Sequence, residues 1–317
     1  MRHFCITVVS LLVLAANTSA QISRAETAST YVERGNKWFD KGEWDRAIAD
    51  FDLAIATDSA NAKAHYNRAN ALFQKGEYDR ALVDYDRAIK LAPRWPEAYV
   101  NRSRIKHLRG DSEGVIADTS RAIELNPKMA EAWNSRGLAR HERGDLSGAG
   151  ADFDRALKLD PALTAAYANR AKLRFFLQHY DGAIADFTQA IKRQPRWSEA
   201  YNDRGAARQF KGDYAGALDD YNHALSLQPH AKIYFNRGRL WQLKGELSRA
   251  ITDYTQSIAL DPHNADAYAW RGVARLLRGE EVEAKRDLST SLSLKPELKE
   301  TLNQIIQEEK KRRAVER

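Results

Sequence analysis

At 317 residues the chain has the length of two ordinary domains, but its 43% hydrophobic content is carried by Ala and aromatics instead of Val and Ile runs, and no alternating strand pattern appears. The net charge of +7 is spread in patches of alternating sign, without the continuous basic stripe and interleaved stacking aromatics of a nucleic-acid binder. A single cysteine, Cys5, excludes a disulfide framework.

Arg2 precedes a largely apolar run from Phe4 to Ala16, followed by Asn17 and the small residues Thr18, Ser19 and Ala20. Small residues at those places are what a signal peptidase reads, and the run is shorter than the roughly 20 apolar residues a membrane span needs. Residues 1–20 are therefore expected to be a cleaved secretory signal, with an uncleaved membrane anchor as the alternative, and residues 21–27 a short N-terminal segment. Cys5 leaves with the signal, so the mature chain is expected to have no thiol chemistry and to reside in the periplasm or outside a bacterial cell.

From Ala28 to Leu298 the text repeats eight times, at 34 residues with one slip to 33. The copies are 28–61, 62–95, 96–129, 130–163, 164–197, 198–230, 231–264 and 265–298. Position 8 is always small, from Gly35 through Ala69, Ser103 and Gly137 to Gly272, and position 20 is Ala in every copy but the third, which has Val115. Position 24 is mostly Phe or Tyr, as in Phe51, Tyr85, Phe153, Phe187, Tyr221 and Tyr254, and position 4 is aromatic except at His65. Small residues mark the sites where two helices touch and large ones fill the space between them. Prolines from Pro93 to Pro296 recur at position 32, where a helix must stop, and Gly recurs at position 15 with Gln178 as the exception, marking a turn between two helices.

This pattern resembles the tetratricopeptide repeat over residues 28–298. The resemblance implies an all-α fold, a right-handed α-solenoid of eight helix-turn-helix repeats whose first helices line a concave groove. Physical reasoning agrees, because one helix pair cannot bury its apolar face alone and stacking makes the core continuous. Residues 298–317 place Leu298, Leu302, Ile305 and Ile306 on one face before turning charged, so 299–317 is expected to be a charged capping helix.

Two positions set this array apart. Position 7 is Arg in every copy: Arg34, Arg68, Arg102, Arg136, Arg170, Arg204, Arg237 and Arg271. Position 23 is Asp in every copy: Asp50, Asp84, Asp118, Asp152, Asp186, Asp220, Asp253 and Asp287. Both sit beside core positions, where an isolated charge is costly, so they are expected to pair as a structural ladder of Arg–carboxylate bridges. Retention of Arg34 and Asp287 in the end copies favours pairing within a copy; the alternative is a row of arginines displayed to an anionic ligand.

If the family geometry carries over, the groove is lined by positions 2, 5, 6 and 9 and parts of 12 and 13. Position 6 is Asn67, Asn101, Asn169 and Asn236, interrupted by Glu33, Ser135, Asp203 and Trp270. An Asn amide both donates and accepts, so it can bond a peptide backbone of any sequence, and the resemblance implies such a role; the alternative is a solvated helix residue. Asn36, Asn70, Asn134, Asn202, Lys63, Arg104, Lys172 and Arg239 add polar and basic groups to the same surface. Phe73, Phe175 and Phe210 are read as core before groove anchors. The expected ligand is a protein or an extended peptide, acidic or ending in a carboxylate.

No catalytic constellation is present in the sequence. His65, His107, His141, His179, His223, His230 and His263 have neither metal-ligand nor triad spacing, so no cofactor and no metal is expected. The functional expectation is an exported scaffold or adaptor that binds a partner segment in its groove and is not an enzyme. A binder of an anionic polymer or glycan, or a non-catalytic subunit of an envelope enzyme complex, is the alternative.

Overall fold

The computed structural model describes residues 27–304 and 306–307. The export signal expected over residues 1–20 lies outside them, as do Ile305 and the basic run from Lys310 to Arg313. No helix of the described residues is long and apolar enough to cross a membrane, and no strand occurs among them.

Helices come in pairs: α1 (Ala28–Asp40) with α2 (Trp44–Thr57), α3 (Ala62–Gln74) with α4 (Tyr78–Leu91), and α5 (Pro96–Leu108) with α6 (Ser112–Leu125). Next are α7 (Ala130–Glu142), α8 (Leu146–Leu159), α9 (Thr164–Phe176), α10 (Tyr180–Arg193), α11 (Ser198–Lys211) and α12 (Tyr214–Leu227). The last four are α13 (Ala231–Leu243), α14 (Leu247–Leu260), α15 (Ala265–Arg278) and α16 (Glu281–Leu294). They form two compact units, the first ending at Arg143 and the second beginning at Gly144. The first unit comprises α1 to α7 and the second α8 to α16, so the boundary falls at the turn inside the fourth repeat.

Within a pair, the turn is closed by backbone bonds. After α3, Gly76 N–H donates to Phe73 C=O at 3.0 Å and Glu77 N–H to Leu72 C=O at 2.9 Å, with Gly76 at φ 79°. This arrangement satisfies the last carbonyls of the helix and requires the left-handed conformation that glycine adopts without strain. Gln178 holds the equivalent place after α9 at φ 61°, the only non-glycine residue at positive φ among the described residues.

The core is made of the small and aromatic positions. Ala47, Phe51, Ala81, Ala149, Phe153, Ala217 and Tyr254 are fully buried. Gly35 is glycine because the ring of Phe51 occupies the place of its side chain: a Cβ there would lie 2.6 Å from Phe51 Cε1. At the far end of the second unit, a 3-10 turn (Pro296–Leu298) leads into helical residues 299–304. Leu302 packs there on Ala269 and Val273, beside Leu277, Leu288, Leu292, Leu298 and Ile306. Burying these side chains closes the apolar edge that an open solenoid end exposes.

Candidate functional site

The arginines at position 7 and aspartates at position 23 meet within copies as forks. Nε of Arg34, Arg68, Arg102, Arg170, Arg204, Arg237 and Arg271 donates to Oδ2 of Asp50, Asp84, Asp118, Asp186, Asp220, Asp253 and Asp287 respectively, at 2.7 to 3.0 Å. Nη2 of the same arginines donates to Oδ1 at 2.5 to 2.7 Å. Such bidentate pairs are the strongest side-chain hydrogen bonds. Arg136 on α7 donates Nη1 to Ser120 Oγ at 3.2 Å and lies over the Trp133 ring, while Asp152 on α8 is buried.

On the six of these forked arginines that follow an earlier copy, a third donor reaches back one copy. Nη1 bonds Asp52, Asp86 and Asp154 from Arg68, Arg102 and Arg170, at 2.5 to 2.7 Å. From Arg204, Arg237 and Arg271 it bonds Thr188, Asn222 and Thr255 at 2.7 to 3.1 Å. Each of these guanidiniums therefore joins its own two helices and clasps the preceding second helix. The hydrogen bonds to Asp84 and Asp253 hold Arg68 and Arg237 above the ordinary arginine range, against the opposing effect of burial. The arginine faces also cover the position-4 rings, as Arg102 over Tyr99 at 5.6 Å and Arg204 over Tyr201 at 5.4 Å. Arg204 and Arg271 are only 12% exposed, so their guanidiniums act inside the stack and are not displayed to a ligand. Where His65 replaces the aromatic, its Nδ1 lies 3.3 Å from Asp84 Oδ1 and its Nε2 3.2 Å from the Ser59 carbonyl.

The asparagine amides bond along the stack. Asn67 Nδ2 donates to Asn36 Oδ1 at 2.8 Å, and Asn101 Nδ2 to Asn70 Oδ1 at 3.0 Å and to the Tyr66 hydroxyl at 2.8 Å. Asn70 Oδ1 also accepts the Tyr85 hydroxyl at 2.6 Å. In the second unit Asn236 Nδ2 donates to Asn202 Oδ1 at 2.9 Å, and Asn202 Nδ2 to Asp203 Oδ1 at 3.0 Å. Asn202 is buried, so its amide serves the junction between copies. Asn169 is half-buried on α9, and Lys63 is exposed on α3. Arg104 pairs with Glu131 at 2.9 Å, and Arg239 lies 3.6 Å above the Trp270 ring.

Each unit has a pocket between successive first helices. In the first, Phe73, Ser103, Arg104, His107, Leu108, Val115, Asn134, Ser135 and Leu138 line about 220 Å³ among α3, α5, α6 and α7. In the second, Lys172, Phe175, Phe187, Asp203, Ala206 and Lys232 line about 360 Å³ among α9, α10, α11 and α13. A narrower hollow of about 120 Å³ continues from it past Ser198, Asn202, Gln228 and His230. Phe175 is partly buried against Phe187 and Ala171, yet it contacts Phe210 edge to face at 5.4 Å, and Phe210 is 63% exposed. Phe210 is thus not a core residue: it sits on the surface beside the pocket, where the periodicity alone placed it inside. No group of three or more His, Cys, Asp or Glu side chains among the described residues could hold a metal ion.

Family models for the tetratricopeptide repeat match residues 62–94, and 116–163, 169–232 and 202–257; a further TPR-repeat model matches 35–76 and 243–279. This chain belongs to the tetratricopeptide-repeat family. The fold is similar to that of a tetratricopeptide-repeat protein from Parabacteroides merdae ATCC 43184, with TM-score 0.60 and 22% identity over 78% of this chain and 98% of that one. It is similar too to a chain of the APC/C hetero-tetramer Cut9–Hcn1, with TM-score 0.61 and 15% identity over 88% of this chain and 55% of that one. Pseudomonas aeruginosa pilF has TM-score 0.58 and 17% identity over 65% of this chain and 94% of its own. None of the curated proteins matches the chain. The tetratricopeptide fold is a scaffold for protein–protein interaction.

Within this tetratricopeptide array, sequence reasoning missed a second cation on the buried aspartates. Lys106, Arg174, Arg208 and Arg275, at position 11, reach Asp118, Asp186, Asp220 and Asp287 at 2.7 to 2.9 Å. The signal was Gly114, Gly182 and Gly216, each eight residues further on: a Cβ there would lie 2.8 to 3.1 Å from Cδ of Lys106, Arg174 and Arg208. Where position 11 is Trp38 or Trp241, Arg46 or Arg249 stands in place of that glycine and stacks on the indole at 4.8 or 4.7 Å.

Proposed function

We propose that this protein is an exported, non-catalytic scaffold that holds a segment of a partner protein against the first helices of its second unit. The observation that carries this reading is the pocket among α9, α11 and α13, whose volume of about 360 Å³ suits a few peptide side chains. Its lining offers two lysines, one carboxylate and aromatic rings, which bind and orient a peptide without forming a nucleophile–base pair. Lys172 and Lys232 favour an acidic or carboxylate-ended segment. Family membership supports a protein partner over a small molecule. The apolar run Phe4–Ala16 and the small residues before Gln21 support delivery to the periplasm or the exterior.

A photo-crosslinking residue at Ala206, inside the pocket, and another at Lys192, exposed on α10, test the reading in envelope extract. A protease-sensitive adduct at Ala206 and none at Lys192 is expected. Equal labelling at both, or an adduct that resists protease and yields to glycosidases, sinks it.

A further inference from the structure

The second unit has an apolar rim beside its pocket that the first unit lacks. At position 13, near the end of each first helix, the first unit carries Asp40, Gln74, Leu108 and Glu142, whereas the second carries Phe176, Phe210, Leu243 and Leu277. Phe176 is 64% exposed, Phe210 63% and Leu243 39%. On a helix, residues four apart share a face, so Phe176 lies alongside Lys172 on α9 and Leu243 alongside Arg239 on α13. Lys232, at the start of α13, lines the pocket with Lys172 and adds a third cation on the same side of the unit, partly offset by Asp203 3.8 Å away.

The turn after α9 departs from the others at the same place. At four other junctions a cation at the end of a first helix bonds an acid in the first turn of the preceding second helix: Lys75 with Asp45, Arg109 with Asp79, Arg143 with Glu113 and Lys211 with Asp181. Lys244 and Arg278 keep the cation, with Ala215 and Ser248 in the place of the acid. At α9 both partners are absent, with Leu177 at the helix end and Ser147 on α8. Leu177 is 40% exposed, Tyr214 of the next turn equally so, and Gln178 follows in the left-handed conformation that costs a side-chain-bearing residue energy. The solenoid here forgoes an ionic rung and a glycine turn and exposes apolar surface instead, which is what a docking edge requires and a solvated edge does not.

We propose that this rim, with Lys172, Lys232 and Arg239 beside it, docks an acidic amphipathic segment of a partner protein: its apolar side chains lie along Phe176, Phe210 and Leu243, and its carboxylates face the cations. The charge of the flanking row selects this occupant over a basic segment, and the proposal rests on the reading of the chain as a holder of partner segments.

A random dodecapeptide phage library panned on the intact chain supplies the probe, and fluorescence anisotropy of the enriched peptides reads affinity. Peptides combining aromatic or branched aliphatic residues with Asp and Glu are expected to dominate. Phe210→Ser and the pair Lys172→Glu with Lys232→Glu are each expected to weaken them at least tenfold, while Lys192→Glu on α10 leaves affinity unchanged. Circular dichroism of the variants, whose altered side chains are all largely exposed, is expected to match the parent. Enrichment of basic peptides, or of peptides insensitive to both variants, overturns the proposal. So does Phe210-dependent sedimentation with phosphatidylglycerol vesicles in place of peptide binding, or a dimer that Phe210→Ser dissolves. Peptides whose binding depends on Leu138 in the first unit overturn the rim and the placement of the partner in the second unit, but leave the reading of the chain as a holder of partner segments standing; a library that yields no binder overturns both.

Discussion

Arg170 donates Nε and Nη2 to Asp186 at 2.9 and 2.7 Å and sends Nη1 to Asp154 of the preceding second helix at 2.5 Å. One guanidinium thus ties together three helices, α8, α9 and α10. Asp186 is nearly inaccessible and holds Arg174 as well, at 2.7 Å. The bond is part of the interface between two copies, so its loss acts on stacking as well as on one hairpin.

Arg170→Ala is therefore expected to destabilise the second unit by about 3 kcal/mol, the lower end for a broken buried ion pair, because Arg174 still holds one oxygen of Asp186. Combining it with Asp186→Ala is expected to cost clearly less than the two singles together. Urea denaturation measures the cycle, and additivity of the singles rejects the coupling. Hydrogen exchange is expected to loosen first around α9 and α10, since a repeat communicates through its neighbours.

Gly35→Ala places a Cβ 2.6 Å from the Phe51 ring and is expected to cost about 1 to 3 kcal/mol by overpacking. Adding Phe51→Leu is expected to recover part of that loss. Thermal melts of the single and double variants decide it: a double variant that is simply worse by the cost of both changes disproves the steric cause.

Gln178→Gly relieves a left-handed backbone at φ 61° and is expected to raise stability by about 0.5 to 1 kcal/mol, the strain relieved less the extra freedom of glycine in the unfolded chain. An unchanged or lower denaturation midpoint contradicts this account of the turn.

Tyr85 and Tyr221 have phenols raised above their ordinary value of 10.0, in both cases chiefly by burial. A raised value means that the unfolded chain ionises these groups first. Their contribution to stability is thus complete below pH 10 and is lost as pH rises from there through the folded-state values. Denaturation midpoints are expected to fall above pH 10, and Tyr85→Phe is expected to make the fall shallower. A pH profile identical in the Phe variant refutes the assignment.

The proposed export predicts a processed mass. The exported chain is expected to lack residues 1–20, with Gln21 at its N-terminus. Intact-mass spectrometry of envelope fractions measures this, and a full-length species held in the membrane reverses the prediction in favour of an anchor.

The helices and their pairing were legible in the sequence because their causes are local and repeat: Gly76 permits the turn, Pro93 follows the stop, and Gly35 admits Phe51. The pairing of Arg34 with Asp50 was legible for a related reason, since two charges beside core positions have few ways to be buried. What tertiary structure alone decided was which atoms remain for a partner. Asn67 and Asn236 read as peptide-gripping amides, but stacking brings Asn36 and Asn202 within reach and turns the amides along the array. Phe175 at position 12 and Phe210 at position 13 were both read as core, yet packing draws the first toward Phe187 and leaves the second in solvent. Helical periodicity specifies which face a side chain occupies, but the distance between neighbouring helices determines whether that face is filled by the chain itself.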